Sequence, residues 1–158
     1  LTERLRMSTW LFSGALTVAG VGFIALVIGV LSQVENWSRD FTTNAAATDE
    51  NASDPRLRPI DSAQTPAELA KLVIEASGKL SRWELAEQAE EGGAVTLHFI
   101  RTTGLWKFKD DIRVQIESKS SGGSRLTAES RSRVGKGDLG QNPRNLRELL
   151  AAVRQAER

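Results

Sequence analysis

The residues able to do chemistry gather in the second half of the chain. Asp110 and Asp111 are adjacent carboxylates, and His98 is the single histidine. Arg131, Arg133 and Arg144 flank, and Lys136 lies within, the glycine-rich run Gly135-Lys136-Gly137-Asp138-Leu139-Gly140, which is followed by Gln141-Asn142-Pro143. Two chemistries are open. A carboxylate base, Asp110 or Asp138, with nearby arginines would serve a hydrolase or transferase acting on an anionic substrate. A basic glycine-rich turn at a helix N-terminus would instead hold an anion or a partner without reaction.

Position on a strand decides how the two aspartates relate. Adjacent strand residues point to opposite faces, so Asp110 and Asp111 cannot share a proton. Asp111 falls in the charged phase, where Arg131 is its simplest cross-strand partner. Asp110 falls in the apolar phase. If buried, it must accept hydrogen bonds, with the Ser130 and Ser132 hydroxyls or loop N–H groups as donors. Asp110, Asp111, Ser130, Ser132 and Asp138 are therefore expected to form a structural polar network. The expected anion or partner surface is Arg131, Arg133, Lys136, Gly137, Asn142 and Arg144. No residue is assigned as catalytic. His98, out of phase with Val95, Leu97 and Phe99, should face outward. Trp83 and Trp106 suit the core or the sheet edge.

The glycine-rich run matches G-x-G-x-x-G literally. A dinucleotide site needs a parallel βαβ unit with an acidic residue after the next strand. The strands before this run form a meander and only one helix follows, so no dinucleotide is expected. The chain has no Cys, which excludes disulfides, thiolate metal sites and Cys nucleophiles. One His excludes a multi-His zinc site. No metal and no cofactor are expected. From Lys119 onward nine basic residues face four acidic ones. No RNA-binding aromatic pattern accompanies them, so a protein or an anionic lipid is a better partner than nucleic acid.

The elements that must position these residues follow from segregation along the chain. The overall net charge of +1 hides it. After a short flank, residues 1–9, the run 10–31 carries no charge. At ~1.5 Å per residue it crosses a hydrocarbon core of ~30 Å. Arg4 and Arg6 precede it, and Trp10 and Trp37 suit the two interfaces, so the positive-inside rule places the N-terminus in the cytoplasm and the remainder outside. A start at Met7 would remove both arginines from the flank. A cleaved signal peptide is the alternative, and it too exports the rest. Residues 32–53, with four acidic residues and one arginine, suggest a flexible linker. Residues 54–158 are expected to fold, with 54–60 lying along the edge.

Thr65-Pro66-Ala67-Glu68 is a capping box with Pro at the first helical position. Leu69, Leu72, Val73, Ala76 and Leu80 form its stripe, and Gly78 is a stop. Strand patterns follow over 82–89, 94–102, 105–117 and 125–134. The short turns between them imply an antiparallel meander. In the last hairpin, setting Glu117 opposite Arg125 places Arg113 against Glu129 and Asp111 against Arg131. The same register places Ile116 against Leu126, Val114 against Ala128 and Asp110 against Ser132. It also sets Lys109 opposite Arg133, a misfit. A final helix is expected with Asn142 as N-cap, Pro143 at the first position, and a stripe of Leu146, Leu149, Leu150, Val153 and Ala156. The order α-β-β-β-β-α predicts a two-layer α+β domain: a four-stranded antiparallel meander with both helices on one face, preceded by one transmembrane helix.

Two motifs carry a resemblance. Phe108-Lys109-Asp110-Asp111-Ile112-Arg113-Val114, and the run Ser130-Arg131-Ser132-Arg133-Val134-Gly135 through Asn142, resemble the F-x-D-D and S-R-S-R-x-G-x-x-D-x-G-x-N stretches of the domain of unknown function 1499 family. Gly137 stands where that family has Ser. Asp54-Pro55-Arg56-Leu57-Arg58-Pro59-Ile60 is similar to its entry segment. The resemblance implies a bacterial or plastid-type protein, often membrane-linked, and no established activity. The expected function is a membrane-anchored, non-enzymatic binding or scaffolding module. Its partners would be the lipid bilayer through residues 10–31 and a protein or anionic lipid. The alternative is an Asp-dependent hydrolase or transferase.

Overall fold

A computed structural model describes residues 21–26, 28–29, 44–104, 107–135 and 139–158. Residues 21–26 and 28–29 are helical, with Val21, Phe23, Ile24, Leu26 and Ile28 exposed. Among the described residues, no helix is long and apolar enough to cross a membrane. The remainder of the expected span, Trp106, Lys136, Gly137 and Asp138 lie outside the described residues.

The fold is α+β around one antiparallel sheet. Its elements are β1 (Ala45–Ala47), a 3-10 turn (Pro55–Leu57), β2 (Ile60–Ser62), α1 (Pro66–Gly78), β3 (Trp83–Glu91), β4 (Ala94–Thr102), β5 (Lys109–Ser118), β6 (Ser124–Ser132) and α2 (Gln141–Ala156). Strands β3 to β6 are the expected meander. The last hairpin has the register set by charge and apolar matching, with Glu117 opposite Arg125, Arg113 opposite Glu129 and Ile116 opposite Leu126.

The sheet has six strands, not four. β1 pairs with Glu129–Arg131 and β2 with Ser124–Leu126, both antiparallel to β6. Together they make one edge strand interrupted by residues 48–59. Ala45–Ala47 lies within residues 32–53, expected as a flexible linker, and is a strand instead. Three alanines carry no alternation. Their place comes from β6, whose free edge needs backbone partners.

The interruption is pinned to α2. The Asp54 carboxylate accepts from the Arg56 backbone N–H at 3.0 Å and from Arg147 Nε at 2.8 Å. Arg154 donates to the carbonyls of Arg56 and Arg58 at 3.2 and 2.8 Å. Gly123 closes the β5–β6 turn at φ +74°, where a Cβ would collide with the Ser62 carbonyl.

α1 begins with the full capping box, Thr65 accepting from the Glu68 N–H and Glu68 from the Thr65 N–H. Both helices lie on one face of the sheet. Leu69 and Val73 from α1 and Leu146, Leu149, Leu150 and Val153 from α2 join Val95, Leu97, Phe99, Ile112, Val114 and Ile116 in one core. Ala156, expected on the α2 stripe, is exposed. Trp83 meets Phe99 edge to face at 6.1 Å and donates to Glu148 at 3.3 Å. Among the described residues the other face of the sheet carries no helix, and this asymmetry divides the candidate site residues into two groups.

Candidate functional site

On the helix-covered face, Asp110 belongs to a closed ring of five side chains. Ser132 Oγ donates to Asp110 Oδ1 at 2.7 Å. Asn142 Nδ2 donates to Ser132 Oγ at 3.0 Å, and Ser130 Oγ donates to Asn142 Oδ1 at 2.6 Å. Asn145 Nδ2 donates to Ser130 Oγ at 3.1 Å and to Asp110 Oδ2 at 2.9 Å, closing the circuit. Each hydroxyl donates once and accepts once, and Asp110 accepts at both oxygens. That direction of donation is fixed by a carboxylate, which only accepts when ionised. Asp110, Ser130, Asn142 and Asn145 are all buried.

The ring ties three elements together. Ser130 and Ser132 share a face of β6, two residues apart, and Asp110 sits opposite Ser132 on β5. Asn142 and Asn145 lie three apart on α2, on the face directed at the sheet. Asn142 also donates to the Asn44 carbonyl at 2.8 Å, which holds the start of β1. Asn44 in turn accepts from the Ser132 N–H and donates to the Gly135 carbonyl. Gln141 donates to Asn145 Oδ1 at 2.7 Å.

Asn142 is therefore not the helix cap expected for it. α2 begins at Gln141, with Gly140 at the cap position at φ +75° and no side-chain cap bond. The left-handed backbone at Gly140 turns Asn142 inward, where its amide finds three partners instead of one. Arg144 bonds the Leu139 carbonyl at 3.1 Å and Gln141 Oε1 at 3.3 Å.

On the uncovered face the second aspartate has different company. Arg133 grips Asp111 with two hydrogen bonds, Nε to Oδ2 at 2.8 Å and Nη2 to Oδ1 at 2.7 Å. His98 Nε2 lies 2.7 Å from Asp111 Oδ1. The Arg133 hydrogen bonds hold the Asp111 carboxyl down at about 2, partial burial opposes this, and His98 adds to it. Asp111 is opposite Arg131 in register, but its ion partner is Arg133. A diagonal neighbour two residues on is within reach of a long side chain. This choice also removes the misfit of Arg133 against Lys109. Arg131 turns to Glu129 at 3.1 Å.

Arg113 is left over. It is exposed on the uncovered face, between His98 on β4 and Glu129 on β6. Among the described residues its guanidinium has no hydrogen bond or ion pair. It lines an open depression of about 440 Å³ with His98, Asp111, Glu129, Arg131 and Arg133. It also lines an adjoining depression of about 430 Å³ toward Thr96, Gln115 and Thr127.

The structure thus separates the expected anion surface. Arg131 and Arg133 share the depression, Asn142 is buried behind the sheet, and Arg144 serves the helix start. The expected polar network divides likewise, with Asp110, Ser130 and Ser132 on one face and Asp111 on the other. Sequence reasoning missed Asn44, Asn145 and the role of Arg113. For Asn145 a signal existed: an asparagine one turn after Asn142, in phase with Leu149. Among the described residues, no cluster of His, Asp and Glu has metal-binding form.

Comparison with known proteins gives one match. No curated protein and no solved structure is matched by this chain. The family model described as "Protein of unknown function (DUF1499)" matches residues 36–153, from before β1 into the last turns of α2. The chain belongs to the DUF1499 family.

Proposed function

We propose that this protein is a membrane-anchored binding module that lies outside the cytoplasm and captures a partner bearing an anionic group on the uncovered face of its sheet. The observation that carries this reading is Arg113, an exposed guanidinium with no partner among the described residues, set in a depression beside Arg131 and Arg133. Arginine presents a planar fork that matches carboxylate and phosphate oxygens. A partner bound there meets polar side chains rigidly spaced by the sheet.

The buried ring argues against catalysis at Asp110. Both of its oxygens are already engaged and it is 1% exposed, so a substrate would have to break the ring to reach it. Anchoring is supported by the uncharged run 10–31, by Arg4 and Arg6 before it, and by the exposed apolar side chains of its described helical part.

The test is photo-crosslinking in native membranes, with the crosslinker placed at Gln115 beside Arg113, followed by mass spectrometry. The expected result is a discrete set of adducts. Combined Arg113→Gln and Arg131→Gln substitutions should lower their yield roughly tenfold or more, since each lost charge-assisted bond is worth ~1.5–3 kcal/mol. Unchanged adducts from a folded double variant would show that the arginines do not recognise the partner.

A further inference from the structure

The two ends of the sheet differ in charge. At one end lie the β3–β4 and β5–β6 turns, where Glu90, Glu91 and Glu117 are exposed and the cations Lys119 and Arg125 are paired with Asp61. At the other end lie the starts of β3, β5 and β1, the end of β6 and residues 103–104 and 107–108. Arg82, Lys107 and Lys109 are exposed there, and none has an ion pair among the described residues. Arg82 reaches across to Gly104, close enough that any side chain at 104 would collide with its guanidinium. The same end of the sheet carries two exposed apolar side chains, Phe108 at 47% and Val134 at 61% exposure.

These two are held in place by backbone bonds. The Thr103 N–H donates to the Phe108 carbonyl at 2.8 Å, and the Phe108 N–H to Thr103 Oγ1 at 2.9 Å. Next to Val134, the Arg133 N–H donates to the Lys109 carbonyl at 3.1 Å, which brings residues 108 and 134 to the same end of the β5–β6 pair. Exposed Phe and Val at an end that also carries exposed Lys and Arg is the composition of a surface that enters a lipid interface.

The chain enters the fold at this same end. Asn44, the residue before β1, accepts from the Ser132 N–H and donates to the Gly135 carbonyl. Between the uncharged run ending at Leu31 and Asn44 lie only residues 32–43, whose full extension is ~40 Å. The basic end is thus the end at which the chain coming from the uncharged run enters the fold.

We infer that the end of the domain bearing Phe108, Val134, Arg82, Lys107 and Lys109 rests on the anionic surface of the membrane that anchors it, with Phe108 and Val134 immersed in the headgroup region. This rests on the anchoring proposed above. The short tether keeps the local concentration of this end at the bilayer high, so a weak interfacial contact suffices. The domain would then stand with its strands across the membrane plane and its arginine depression facing sideways, open to a partner in the same membrane.

The chain has no native Cys, so single spin labels can be placed on the full chain. Val134→Cys and, as the far-end control, Glu90→Cys are labelled and reconstituted into phosphatidylglycerol-containing vesicles and into pure phosphatidylcholine vesicles. Accessibility to oxygen and to an aqueous nickel chelate reads immersion, and flotation reads anchoring. The expected result is a label at 134 shielded from nickel and accessible to oxygen in the anionic vesicles, with the label at 90 in water. Lys107→Glu with Lys109→Glu should shift the 134 label toward water roughly tenfold or more in equilibrium. A chain that floats while its 134 label stays aqueous overturns the inference alone. A chain that does not float overturns the anchoring and the inference with it. Shielding with spin–spin broadening, which marks a second copy over this end, also overturns it. So does equal immersion in the uncharged vesicles.

Discussion

Asp110 and Asp111 are chemically identical neighbours on one strand, and the sheet sends them to opposite environments. Asp110 is buried beneath α2, both oxygens held by neutral donors from Ser132 and Asn145. Asp111 is held on the uncovered face by an arginine and a histidine, in contact with solvent. The first fixes how a helix and an edge strand dock on the sheet. The second sets the charge of a face that no described helix covers. Neutral donors in a closed circuit resist water and tolerate no missing member. Ion pairs on an open face tolerate change and respond to pH and salt.

The sharpest way to break this contrast is to remove the first carboxylate. Asp110→Ala leaves the Ser132 hydroxyl and one Asn145 proton without an acceptor in a dry site. It should cost ~3–4 kcal/mol, read as a lower urea midpoint. Asn145→Ala should behave similarly, because it opens the ring at two bonds.

Asp111→Asn should cost less, ~1–2 kcal/mol at neutral pH once solvent screening is allowed for. Its pH dependence carries a sign. The folded carboxyl is held at about 2 against an ordinary value of 3.8, so its contribution is complete above pH 4. That contribution is lost as pH falls from 4 toward 2. The wild-type chain should lose stability over that range, and Asp111→Asn should lose correspondingly less. Unfolding midpoints at pH 5 and pH 2.5 for both chains check this.

The smallest stability effect is expected at Arg113. With no side-chain partner among the described residues to lose, Arg113→Gln should leave the urea midpoint within ~0.5 kcal/mol of wild type. A larger loss would mean that Arg113 belongs to the fold and not to a binding surface.

Much of this contrast is legible in the sequence. Strict alternation of charged and apolar residues along β5 and β6 determines the register, because any one-residue slip would bury Arg113 and Glu129. The capping box at Thr65 marks the start of α1 without tertiary help. Three features are not legible, each for a physical reason. The edge strand is split into two pieces of three residues, too short for a period, and β1 exists only because β6 offers a free edge. Asn142 has the residue type of a cap, but the left-handed Gly140 moves the helix start and turns the amide inward. Arg113 reads as the partner of Glu129. Which of two same-face arginines a glutamate takes depends on side-chain rotamers, and here Glu129 takes Arg131.

The central claim is that the helix-free face of the sheet is the face that meets a partner. It is tested most directly by comparing crosslink yields from two positions of the full chain in native membranes: Gln115 on the uncovered face and Lys71 on the exposed side of α1. The account predicts discrete adducts from position 115 and only background from position 71. Adducts from position 71 with background at 115 would place the partner on the helices and contradict it.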